Sequence, residues 1–356
     1  MKPKVLHCVD DPNMGGVNFA LQSLCGSPLK NDVDFTIQYI DFSQAVKLNE
    51  VPDIVCLHGA SNWRNLFNVL RFKLTYPKVK LVLQEHHYSA AFVDEQIKSP
   101  RRFYLMLKLS YGLMDRVIAI SPSQQKWMLK HKLTTANKIA LLGQGRDLTG
   151  FTANNSSLQE KSENTVPIIA AYGRFHHQKG FDLLINALKL VKLPCRLRLA
   201  GEGAQVAKLK ELAAEHSNVG SANIEVVDKV DDVPSFLQAC DAVIIPSRWE
   251  PFGLIFIESL AMNKPIISSQ VDGLGDQINQ HSANHLIEGG HQSAITPIAE
   301  PISVENIADA IDLFLSQAAS LNPDANIGYI NHWKEQQWLE LQQAWKSLFK
   351  QLLGDK

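Results

Sequence analysis

This chain of 356 residues has no long apolar run, no cysteine pattern and no excess of charge of either sign. No stretch reaches the roughly 20 consecutive apolar residues that cross a bilayer. Its start runs from Met1-Lys2-Pro3-Lys4 through Val5 to Val9 into Asp10-Asp11, too short for the apolar region of a signal peptide. Cys8, Cys25, Cys56, Cys195 and Cys240 form no close pair and no metal-type spacing, so they read as reduced core residues of a cytosolic protein. A formal net charge of −1 argues against a protein that works by coating nucleic acid. With 45% hydrophobic and 20% charged residues, 20 Gly and 16 Pro, the composition excludes disorder, collagen-like repetition and a disulfide scaffold. The expected protein is cytoplasmic, soluble or at most attached to the inner face of a membrane.

What is present is an alternation. In the first half, Lys4–Val9, Phe35–Ile40, Asp53–His58, Val79–Leu83, Arg116–Ile120 and Lys138–Leu142 have strand length and β-branched content. Val17–Cys25, Trp63–Tyr76, Arg101–Met114 and Ser123–Lys132 have helical length between them. The polar stretch Thr152–Thr165 reads as a linker, after which strands (Pro167–Tyr172, Cys195–Ala200, Ile224–Val227, Ala242–Ile245, Pro265–Ser268) again alternate with helices (Phe181–Val191, Gln205–Glu215, Val233–Ala239, Leu254–Met262, Val304–Ala318). Such alternation predicts two α/β domains, each a doubly wound parallel sheet, over 1–165 and 166–330, with ligands outside the carboxyl ends of the strands and in the cleft between the domains. Residues 331–356 carry three tryptophans at helical spacing, and this helix needs a surface, on its own domain or back on the first. The halves differ in charge: 20 basic against 14 acidic side chains over 1–165, and 15 against 22 afterwards. The first half therefore suits an acidic partner.

Four loops after predicted strands carry residues suited to chemistry. In the first, Gly15 and Gly16 open a helix whose free N–H groups and dipole favour an anion, without the Gly-x-Gly-x-x-Gly of dinucleotide sites. A second, Gly173 to Gly180, puts Arg174 and Lys179 beside another helix start, a cation pair fit for a diphosphate. Its glycine spacing and the residue after the lysine exclude a Walker loop. The third, Pro246 to Gly253, holds Glu250 and leads to a helix on which Glu258 is flanked by apolar residues. Gly253 there frees the N–H groups of Leu254 and Ile255 to face a phosphate, and Glu258 needs hydrogen-bond donors, from sugar hydroxyls or from a structural salt bridge. Gln84-Glu85-His86-His87 is the fourth; its histidines are either structural or catalytic.

Gly-Arg followed by Lys-Gly, then Ala200-Gly201-Glu202-Gly203, Pro-Ser-x-x-Glu-Pro-Phe-Gly-Leu with its second glutamate, and Ala261 to Ile267 resemble the retaining glycosyltransferases of family 4, which have the GT-B fold. The likeness is strong over most of the second half. In the first it rests on Gly15-Gly16, Gln84-Glu85-His86 and Ser121. It implies a nucleotide-diphosphate sugar, of UDP or GDP type, bound mainly by the second domain. Arg174 and Lys179 would hold the diphosphate, Glu258 the ribose and Glu250 a hydroxyl of the transferred sugar. Gly16 would approach the donor phosphate, and His86, with His87 as its rival, would touch the sugar near the reacting carbon. Departures are Val17-Asn18 after the glycines, Gln144-Gly145-Arg146-Asp147 near the domain junction, Lys264 before the proline strand and Asp276 after the Asp-Gly turn; they blur donor identity.

The resemblance implies transfer to a glycan or lipid-linked acceptor with retention, in surface polysaccharide or lipopolysaccharide synthesis, without a cofactor; no His and carboxylate set has metal spacing. A nucleotide-sugar epimerase, a sugar phosphorylase or a non-catalytic nucleotide-sugar binding protein are the alternatives. Lys98, Arg101, Arg102 and Lys108 accompany Phe103, Leu105, Met106, Leu109 and Leu113 in one predicted helix. That pattern fits either a sheet-covering helix or contact with an anionic membrane.

Overall fold

The structure, a computed structural model, describes residues 2–10, 15–152, 166–216, 222–285, 295–318 and 327–354. The chain divides into two compact units, Met1–Asp147 with Gln336–Lys356, and Leu148–Glu335. The run proposed as a linker lies outside the described residues beyond Thr152.

The first unit runs β1 (Lys4–Val9), α1 (Gly15–Gly26), β2 (Asp34–Tyr39), β3 (Ile54–Leu57), α2 (Trp63–Thr75), β4 (Lys80–Gln84), α3 (Ala90–Gln96), α4 (Pro100–Gly112), β5 (Arg116–Ala119), α5 (Pro122–Lys130) and β6 (Ile139–Leu141). All its strand pairs are parallel, in the order β2-β1-β3-β4-β5-β6. The central strands are nearly continuous apolar runs because helices cover both faces of a parallel sheet. Helix starts follow local chemistry: Asn62 caps α2 by accepting the Asn65 N–H at 2.8 Å, and Ser121 caps α5 ahead of Pro122.

The second unit holds β7 (Ile168–Tyr172), α6 (Phe181–Ala187), β8 (Cys195–Ala200), α7 (Val206–His216), β9 (Ala222–Val227), α8 (Val233–Gln238), β10 (Ala242–Ile245), α9 (Leu254–Ala261), β11 (Ile266–Ser268), α10 (Asp272–His285), β12 (Ile295–Pro297) and α11 (Val304–Gln317). Its sheet, again parallel, has the order β12-β11-β10-β7-β8-β9. Winding reverses between β7 and β10, as it does between β1 and β3 in the first sheet, and loops at such a reversal frame the ligand crevice of doubly wound sheets.

Helix α12 (Ile327–Leu353) belongs to both units in sequence. Ile330 and Trp333 lie in a core of the second, with Leu148 and Phe151. Leu341, Trp345, Leu348 and Phe349 lie in a core of the first, against Val5, Ile54, Cys56, Val82 and Ile118.

Three elements lack a sequence expectation. The helix α3 has seven residues, too few to show a period. Two glycines and few apolar residues hide α10, and β12 is a three-residue edge strand ending in Pro297. Helix α6 stops at Ala187, short of the expected Val191.

Candidate functional site

In the second unit the loops after β7 and β10 stand on the two sides of the winding reversal and are knitted together. The Arg248 N–H donates to the Gln178 carbonyl at 2.7 Å, and Gln178 Nε2 donates to the Trp249 carbonyl at 3.1 Å. Arg248 also grips Asp182 on α6 through both carboxylate oxygens, at 2.8 and 3.1 Å, and donates to the His177 carbonyl at 2.7 Å. Burial would raise the Asp182 pKa, but the hydrogen bonds and charge of Arg248, with Lys208, keep it below the ordinary carboxylate value. Gly180 turns the first loop into α6 at φ +67°, and a Cβ there would meet the Pro246 carbonyl oxygen at 2.0 Å, so only glycine permits this approach of the two loops.

The loops bring together residues singled out from the sequence. Lys179 Nζ lies 2.5 Å from Glu250 Oε2, with both side chains largely buried, and Ser247 Oγ donates to the same oxygen at 3.3 Å. Arg174 is exposed on the same loop as Lys179 and has no ion pair among the described residues. Gly253, at φ +94°, starts α9, so the N–H groups of Leu254 and Ile255 occupy the first turn, where a helix offers them no carbonyl. The first loop comes close to this turn: a Cβ at Gly173 would touch Ile255 Cδ1 at 3.3 Å. Buried Glu258, on α9, accepts the Tyr172 hydroxyl at 2.8 Å. One of its donors is thus a phenol at the end of β7. Tyr172, Gln178 and Arg248 were missed by the sequence reading; a polar aromatic at the last position of a core strand was the one available signal.

In the first unit, His86 closes a chain of three imidazoles. His7 Nδ1 lies 2.9 Å from His58 Nε2, and His58 Nδ1 lies 3.0 Å from His86 Nε2. These residues come from β1 and from the loops after β3 and β4, which are adjacent strands across the reversal. Burial drives all three toward the neutral form: the His7 pKa falls to about 4, that of His86 to about 3, and that of His58 well below its ordinary value. Three neutral rings sharing two hydrogen bonds allow two collective tautomer patterns, one with His86 Nδ1 a donor and one with it an acceptor. That nitrogen is shielded from solvent and has no hydrogen bond of ordinary geometry among the described residues, although the Gln144 side chain is near enough to favour the charged ring. It belongs to the ring that lines a concavity of about 280 Å³ with Val17, Gln84, Gln144, Gly145 and Trp345. His87 instead contacts the His58 carbonyl at 3.1 Å.

Glu85, fully buried, holds this loop by accepting the N–H groups of His87 and Tyr88 at 2.9 and 3.2 Å and the Tyr111 hydroxyl at 2.8 Å. Its pKa is raised by burial. Gly15 and Gly16 open α1. A larger apolar concavity, about 490 Å³, lies beside Asp10, Phe42, Leu57, Asn62, Val69 and Met114 and includes none of the residues singled out from the sequence.

Residues 154–329 match the family described as glycosyl transferases group 1. These residues, just under half of the chain, belong to this family. An uncharacterised glycosyltransferase of Methanocaldococcus jannaschii is 23% identical over 283 residues, 74% of this chain and 78% of the relative. The capsular polysaccharide biosynthesis glycosyltransferase CapM of Staphylococcus aureus is 26% identical over 235 residues, 61% of this chain and 60% of the relative. Among solved structures, sucrose-phosphate synthase of Thermosynechococcus elongatus superposes with a TM-score of 0.73 at 19% identity over the whole of both chains. Anabaena HepE in complex with UDP-glucose does so with 0.69 at 17%, over 98% of this chain and all of that one. The chain thus has the GT-B fold, two Rossmann-like units in one chain. None of its described helices is long and apolar enough to cross a membrane.

Proposed function

We propose that the protein transfers a sugar from a nucleotide diphosphate to a glycan or lipid-linked acceptor with retention of anomeric configuration, in the making of a surface polysaccharide or lipopolysaccharide. The observation that carries this reading is the pairing of Lys179 with Glu250 beside an exposed Arg174 that has no ion pair among the described residues, on the two loops at the winding reversal of the second sheet. A diphosphate arriving there meets one free guanidinium and one ammonium that can exchange its carboxylate partner for phosphate oxygens. Glu250, so released, becomes free to accept a hydroxyl of the transferred sugar. The first-turn N–H groups of Leu254 and Ile255 add dipole to the same anion. Glu258, held through one carboxylate oxygen by Tyr172, is assigned to the ribose. In the first unit Gly16 is assigned to the donor phosphate and His86 to the transferred sugar.

In the transfer, the bond from the anomeric carbon to the phosphate oxygen breaks and a bond to the acceptor oxygen forms on the same face. The acceptor proton passes to the departing diphosphate. The main task of the protein is then electrostatic, stabilising charge on the leaving oxygens with Arg174 and Lys179. No cofactor or metal is assigned. HepE, a neighbour in fold, binds UDP-glucose, and CapM acts in capsule synthesis, which supports a UDP-type donor and a surface-glycan acceptor here. Five free cysteines support a cytoplasmic setting. The test is to incubate the protein with UDP and GDP sugars, measure nucleotide release with and without glycan acceptors, and read the anomeric configuration of the product by NMR. Absence of release with every donor and acceptor would overturn the reading.

A further inference from the structure

Two neighbouring helices of the first unit leave on the outside what most helices of this protein bury. On α2, Trp63, Phe67, Leu70 and Leu74 are exposed, Phe67 by 69% and Leu74 by 72%. Their spacing of four, three and four residues puts them in one stripe. Val69 and Phe72 turn inward on the opposite side, so the stripe is a second apolar face rather than the edge of the first. Arg64 and Arg71 border it. Helix α4 packs beside α2, and Lys73 of α2 donates to the Leu113 carbonyl just past the end of α4. The core side of α4 takes Met106, Leu107 and Tyr111, leaving Leu105 and Leu109 exposed among Arg101, Arg102 and Lys108. Neither helix contains an acidic residue; Lys73 pairs with Asp115, and the other five cations, Arg64, Arg71, Arg101, Arg102 and Lys108, form no ion pair among the described residues. Arg101 and Arg102 stand in the first turn of α4, at the positive end of its dipole, and Ser99 gives no side-chain cap. That placement works against helix stability, and a partner rich in negative charge reverses its sign.

We propose that the outward face of α2 and α4 docks on an anionic lipid bilayer, with the Trp63–Leu74 stripe in the headgroup and acyl boundary and the five cations on lipid phosphates. Apolar residues on one stripe with arginine and lysine at its borders are what lets a helix lie in a membrane interface. A second copy of the chain is the poorer occupant, because a two-fold contact would set five cations against five. This rests on the proposed function in one respect: docking would bring a lipid-linked acceptor to the first unit.

The test uses the full chain and vesicles of phosphatidylcholine, with or without phosphatidylglycerol. The protein should sediment with the mixed vesicles at low salt and far less with phosphatidylcholine alone, and raised salt should release it, since exposed charges are screened within about 10 Å. Phe67→Ser with Leu74→Ser, and separately Arg101→Glu with Arg102→Glu, should each lower the bound fraction about tenfold, given that each surface cation contributes substantially. Brominated anionic lipid should quench tryptophan emission, less so in Trp63→Phe. No sedimentation at low salt, equal binding to neutral vesicles, or binding unchanged in both double variants would overturn the proposal. So would self-association of the wild type that Phe67→Ser with Leu74→Ser abolishes without any vesicle binding. The thermal shift that nucleotide diphosphates give the wild type should be the same in these variants. If vesicles bind while no nucleotide does, the docking surface stands and the proposed function falls.

Discussion

At the scale of single residues, the Lys179 and Glu250 pair sets two tasks against each other. Removing one partner strands a largely buried charge, which costs about 3 kcal/mol. Lys179→Ala should therefore lower both nucleotide affinity and the unfolding free energy, while Lys179→Met with Glu250→Gln should recover most of the stability and none of the transfer. Urea melts run beside calorimetry distinguish the two effects. Arg174 has no ion pair among the described residues, so Arg174→Ala should leave stability nearly unchanged and weaken nucleoside-diphosphate binding by about 1.5–3 kcal/mol, the range for hydrogen bonds to charged groups. Glu258→Ala should weaken it similarly, and also orphan the Tyr172 hydroxyl; unchanged calorimetric affinity in both variants would remove the donor assignment. These residues were legible because their types and spacing coincide on short loops. Tyr172 was not, since nothing in a strand ending in tyrosine says that its hydroxyl meets a glutamate 86 positions later.

Among elements, strands were the easiest to read, because parallel strands covered on both faces are bare apolar runs. Short or glycine-bearing pieces such as α3, α10 and β12 were not, for there the sheet edge and neighbouring helices decide conformation, not local pattern. The imidazole chain was hidden for a different reason. His7, His58 and His86 are far apart in sequence, and only the strand order β1-β3-β4 aligns them. Its consequence is measurable. Each ring has a folded pKa below the unfolded one, so its contribution to stability is fully present above about pH 6.5 and is lost as pH falls toward about 4 for His7 and about 3 for His86. Three such groups give a slope of up to about 4 kcal/mol per pH unit. Glu85, with its raised pKa, acts in the opposite sense and trims that slope. Urea midpoints followed from neutral pH to about pH 5 should drop steeply in the wild type and less steeply in His7→Phe, where one proton-binding site is gone.

Over the whole molecule, α12 ties the stability of the first unit to distant sequence. Leu341, Trp345, Leu348 and Phe349 are all buried in that unit, and at about 1.5–3 kcal/mol each their removal approaches the total stability of an ordinary domain. Ending the chain at Glu335 should accordingly unfold the first unit while the second still melts cooperatively, which hydrogen exchange resolved along β1 and β3 would show. The same arrangement imposes a schedule on synthesis. The first unit is interrupted after Asp147 and resumes only at Gln336. At about 5–20 residues per second, a ribosome takes roughly ten to forty seconds to cover that gap. Throughout that interval, the groove awaiting Trp345 and Phe349 is open to solvent on a nascent chain whose second unit is still being made, so a holding chaperone has a defined place and a defined time at which to bind.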